Sequence, residues 1–175
     1  MGSAFFGIAL QNKVNLVSMK SESISNLKKE VQSLPSELIV QYCIRMAKYK
    51  TENKELLNYL IFQAYDQQTF IADVKEEINL QFKNLNKSNL YLAKKTIRKA
   101  LKTTRKYIKF SGIKQTELEL LIHFCKKLKT TGLSLRQGKV LGNLYSHQIE
   151  RIDAVLSTLH EDLQLDFIDD IKEIR

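Results

Sequence analysis

A single proline interrupts the 175 residues, and it stands near the beginning, at Pro35. Proline removes a backbone donor and clashes with the preceding turn, so the chain beyond it is free to run as long helices. Six glycines add few further breaks. Apolar residues recur at three- and four-residue steps rather than alternately, which specifies amphipathic helices and no strand.

The steps place the expected elements. Ser23 to Ser33 forms a first short helix. Pro35 suits the first turn of the next, whose apolar side carries Leu38, Ile39, Tyr42, Cys43 and Met46. After the polar break "KTENK", Glu55–Tyr65 shows a stripe of Leu56, Leu57, Leu60 and Ile61. Asp66 opens a segment to about Leu85 with Phe70, Ile71, Val74, Ile78 and Phe82 inward. "NKSN" turns the chain into a long helix from about Ser88 to Phe110, and Ser111–Gly112 stops it. Thr116 with Glu119 and Ser134 with Gln137 have capping-box spacing, predicting helices to about Leu128 and Leu159. Gly138 and Gly142 fall just inside the second on one face, where a neighbour can approach closely. Glu161–Ile174 reads as a terminal amphipathic helix. The expected fold is all-α, about eight helices in antiparallel neighbours. Either a HEAT- or armadillo-like helix-pair stack or an irregular bundle fits, and the lack of a fixed-period repeat weighs against the stack.

Residues 1–18 read as an N-terminal extension or an added, non-native segment, and 19–175 as one all-helical domain. The apolar "AFFGIAL" has no basic residue before it and is short for a signal peptide. Phe6 stands where myristoylation wants Ser or Thr. No apolar run approaches the roughly 20 residues that span a bilayer. Cys43 and Cys125 lie in apolar-periodic segments and read as buried thiols in a reducing, cytoplasmic setting.

Charge is the most uneven property of the chain. "AKKTIRKALKTTRKYIKFS", Ala93 to Ser111, holds eight lysines and arginines and no acid. Between Glu77 and Glu117 there are eleven basic residues and no acidic one, so the formal net charge of +9 belongs to this region. Projected at about 100° per residue, Lys94, Lys95, Arg98, Lys99, Lys102, Arg105, Lys106 and Lys109 share one arc. Ala93, Ile97, Ala100, Leu101, Tyr107 and Ile108 share the opposite one. One side packs and the other is wholly cationic. Like charges one turn apart, such as Lys95 and Lys99, repel by about 0.2–0.5 kcal/mol per pair. Such a face is a candidate polyanion site, and with no aromatic group among its cations it would follow a backbone rather than read bases. A structural alternative is an acidic stripe of Asp162, Asp166, Asp169, Asp170 and Glu173, facing the basic helix within one chain or between two.

Catalytic patterns are thin. "RQGKVLG" has a Gly-Lys pair but lacks the upstream glycine and following Ser or Thr of a phosphate loop. His123, His147 and His160 are far apart, and His123 points about 200° away from Cys125 on a helix. No catalytic residue, metal ligand or cofactor is assigned. "NKELLNYLIFQAYD" and "LHEDLQLDF" resemble segments of uncharacterised all-helical bacterial proteins, over about residues 20–175. That resemblance implies an all-helical fold and a bacterial cytoplasmic setting, and no activity. The expectation is a non-enzymatic helical interaction or scaffold protein, with a protein partner or self-association. The alternative is sequence-independent binding of a nucleic-acid backbone through the basic helix at 88–110.

Overall fold

The computed structural model describes residues 21–135 and 139–175, and every regular element among them is a helix. The segment 1–18 therefore lies outside the described residues, as do Gln137 of the second capping box and Gly138. The chain divides between Ile44 and Arg45 into two compact units.

The first unit holds α1 (Ile24–Ser33) and the first turns of α2 (Ser36–Tyr49). Ser23 caps α1 by accepting from the Asn26 N–H at 3.2 Å. The Pro35 carbonyl starts the ladder of α2, accepting from the Leu38 and Ile39 amides. No residue of α1 or α2 is buried. Of the α2 stripe, Leu38, Ile39 and Cys43 are half-buried, whereas Tyr42 and Met46 are exposed.

The second unit contains α3 (Thr51–Phe62), α4 (Gln67–Lys83), α5 (Leu90–Ser111), α6 (Lys114–Thr130), α7 (Val140–Leu156), α8 (Glu161–Asp166) and α9 (Ile168–Ile174). Its centre is α6, which packs on α4, α5, α7 and α9. "LELLIHFCKKL" puts apolar groups on nearly every side of that helix, and Leu118, Leu120, Leu121, Ile122, Phe124, Cys125 and Leu128 are all buried. A helix apolar all round belongs inside. One helix ringed by four is an irregular bundle, rather than a stack whose layers meet only their neighbours.

Two apolar clusters meet across α6. The larger joins Ile97 and Leu101 of α5 to Leu121, Phe124, Ile152 and Ile174. The smaller joins Tyr59, Phe70, Ile71, Val74 and Ile78 to Phe110 and Leu120. Tyr59 and Phe70 have ring centroids 4.6 Å apart, and Tyr107 meets Phe110 edge-on at 5.7 Å. A polar knot ties the end of α5 to this cluster. Gln67 donates to the Tyr59 hydroxyl (2.9 Å) and accepts from Ser111 (3.2 Å) and Thr116 (3.4 Å).

Several expected boundaries move, for physical reasons. α3 begins at Thr51 inside "KTENK", and Tyr59 rather than Leu60 or Ile61 enters the core. Leu60 and Ile61 are each 56% exposed. α6 starts at Lys114, so Thr116 sits in its first turn, buried, with its hydroxyl given to Gln67 instead of a cap. α7 spans only Val140–Leu156, leaving Ser134 outside the helix and Leu159 beyond its end. The terminal helix is broken at Phe167, whose ring is drawn into the larger cluster. Cys125 is free and buried, and burial pushes its thiol up to about 12; Cys43 is free but only half-buried.

His123 is half-buried on α6, with Nε2 2.9 Å from Asn79 Oδ1. Burial, then the nearby Lys127 and Lys75, lower its pKa from 6.5 to about 4. The unfolded chain therefore takes up the proton first as pH falls. The stability tied to neutral His123 is complete above pH 6.5 and drains away towards pH 4. Allowing for solvent screening, wild type should lose about 1–2 kcal/mol more than His123→Gln over that window. Denaturant midpoints measured across it would show this, and parallel pH profiles would contradict it.

Candidate functional site

Three features position the basic helix. Asn89 caps α5 by accepting from the Tyr91 and Leu92 amides at 3.0 and 3.1 Å. Gly112 closes it in the left-handed region, at φ 65°. Between these ends Ala93, Ile97, Ala100, Leu101, Thr104 and Phe110 are buried, and the small alanines let neighbouring helices approach. Thr104 returns its hydroxyl to the Ala100 carbonyl at 2.9 Å, which satisfies it within the helix. Burial of the opposite arc fixes the cationic arc outward. Lys95, Arg98, Lys99, Lys102, Arg105 and Lys109 are exposed, while Lys94 and Lys106 are half-buried.

The cationic arc is one wall of a groove of about 1510 Å³. Arg98, Lys99, Lys102, Arg105, Lys106 and Lys109 line it from α5. The far wall is α7, with Leu144, His147, Gln148 and Arg151. Leu121 and Glu117 of α6 contribute as well, and Thr51, Glu52 and Glu55 come from the start of α3. Seven lysines and arginines thus meet three glutamates.

Two of those glutamates are already engaged. Glu55 pairs with Lys106 at 3.3 Å, and that ammonium also lies 4.4 Å from the centre of the Tyr107 ring. Glu117, itself buried, accepts from Arg151 Nε at 2.6 Å and lies 3.9 Å from Lys114. Glu117 in turn raises the pKa of Arg151 by that hydrogen bond. Arg105 reaches across the groove to donate to Gln148 Oε1 at 3.1 Å. Lys94, Lys95, Arg98, Lys99, Lys102 and Lys109 have no ion pair among the described residues. The groove carries no aromatic side chain, because Tyr107 is turned away to donate to Glu77 at 2.8 Å.

The acidic stripe lies elsewhere. Asp170 and Glu173 both hold Lys126 of α6, and the former bond is 2.7 Å. Asp169 pairs with Lys172 on its own helix, and Asp162 with His160. Asp166 has no partner among the described residues. None of the five contacts α5, so within the chain this stripe fastens α9 to α6 and leaves the basic arc unneutralised. Arg151, Gln148 and Glu117 were not marked by the sequence. Arg151 follows α5 by a whole intervening helix, and only the packing of α7 on α6 brings it to the groove.

Among the described residues no three His, Cys, Asp or Glu side chains gather to hold a metal. None of the described helices is long and apolar enough to cross a membrane. Comparison with protein-family models, curated proteins and solved structures found no match.

Proposed function

We propose that this protein binds the phosphate backbone of nucleic acid, without reading its sequence, along the groove between α5 and α7. The observation that carries this reading is a concave wall of unpaired cations, held outward by a buried apolar arc. Six of the eight α5 cations keep their mutual repulsion with no acid to relieve it, a cost that a polyanion removes. From Lys94 to Lys109 the row extends about 23 Å, the length of about seven phosphates of one duplex strand. Low-dielectric walls around charge of one sign concentrate the field on an approaching anion. The missing aromatic groups argue against base stacking.

Titration of labelled mixed-sequence DNA and RNA at two salt concentrations tests it. If five phosphates are engaged, log K falls against log salt with a slope near −4.5, a loss of about 500-fold between 50 and 200 mM. No binding at the lower salt would sink the reading. A second reading, a scaffold that meets a protein partner or a second copy of itself, draws on the end of α3. There Leu60, Ile61 and Phe62 are more than half exposed, and Tyr65 follows at 84%. Such exposed apolar groups are characteristic of protein contacts. A cytoplasmic setting belongs to the same set of proposals.

A further inference from the structure

Two cations in the groove differ from the lysines around them, because each is held in place by a buried group. Arg105 donates through Nη2 to Gln148, which is 2% exposed and is itself anchored by donating to the Leu144 carbonyl at 2.7 Å. Arg151 donates through Nε to Glu117, which is 9% exposed. Gln148 and Arg151 are three residues apart on α7, so they share a face one turn apart. The head of Arg105 therefore sits within about one helical turn of the base of Arg151. A guanidinium has five N–H donors. Arg105 keeps Nε and Nη1 free of partners among the described residues, and Arg151 keeps both terminal nitrogens.

We infer that Arg105 and Arg151 form a fork that grips one phosphodiester group, while the lysines of α5 supply diffuse attraction. The inference rests on the backbone-binding reading and names the anchor point within it. Guanidinium donors match two phosphate oxygens at once, and a guanidinium already oriented loses little freedom on binding. Lysine carries the same charge without that geometry. Gln148 and Glu117 are positioning residues: they aim the arginines and need not touch the ligand. The charge of Glu117 is shared between Arg151 and Lys114, so it does not cancel the fork.

The test uses the full chain and a mixed-sequence DNA duplex at low salt. Arg105→Lys with Arg151→Lys conserves charge, and should weaken binding by about tenfold or more while leaving the salt slope unchanged. Lys99→Arg with Lys102→Arg, conserving charge in the other direction, should change affinity less than about twofold. Gln148→Met, which frees Arg105 at constant charge, should reproduce part of the loss. Should the double arginine variant melt early, Arg105→Lys alone keeps the Arg151–Glu117 pair and must show the loss by itself. Duplex binding equal to wild type in the arginine-to-lysine variants would overturn the fork and leave the backbone reading intact. Wild-type protein that binds no nucleic acid would remove both.

Discussion

Replacing Arg98, Lys102 and Arg105 together by glutamate is expected to abolish duplex binding at low salt. Each cation withdrawn from a phosphate removes about 0.9 from the salt slope. Reversal goes further, since it sets three like charges against the strand in the middle of the wall. Folding should not suffer, because all three side chains are exposed and the buried arc of α5 is untouched. The changes at 102 and 105 also place an acid four residues before Lys106 and Lys109, the favourable order for a helical pair. The expected result is a thermal midpoint within a few degrees of wild type beside binding reduced at least a hundredfold. Affinity retained within tenfold would show that the ligand does not lie along this wall.

Phe124→Ala should have the opposite signature, a large loss of stability with no direct change to the groove. Phe124 is wholly buried at the middle of α6 and meets Phe82 edge-on with ring centres 5.7 Å apart. Removing a buried phenyl group costs about 3–5 kcal/mol, from lost transfer energy and the cavity left behind. A domain of this kind holds only about 5–15 kcal/mol in all. The denaturant midpoint should fall accordingly, whereas Ile61→Ala, at a residue 56% exposed, should shift it by less than about 1 kcal/mol. Equal effects at the two sites would mean that the assigned core is wrong.

How much of this was legible in the sequence depended on the strength of local contrast. α5 was plain because its apolar and cationic sets never mix, so its face and stop could be read from 3.6-residue geometry alone. α3 was misread because "LLNYLIF" is apolar on several sides, and only the neighbouring α4 and α5 decide that Tyr59 turns inward. The Thr116 cap failed for a related reason. A hydroxyl offered to the local backbone was taken by Gln67, forty-nine residues away. The groove could not be foreseen, since its second wall reaches α5 only through the packing of α6. Charge concentration gave the right place to look, and the fold supplied the concavity.

The clasp at α9 has a consequence for the order in which the chain matures. Ile171 and Ile174 complete the larger cluster, and Lys126 waits on Asp170, forty-four residues later. A growing chain that has emerged only as far as α7 already displays the entire cationic face of α5, while α6 still lacks one of its four covers. Contacts of such separation form last, and incomplete bundles expose apolar surface to other molecules. During synthesis, therefore, the surface that attracts polyanions is ready before the core that supports it is closed, and arrival of α9 is the event that makes the fold secure.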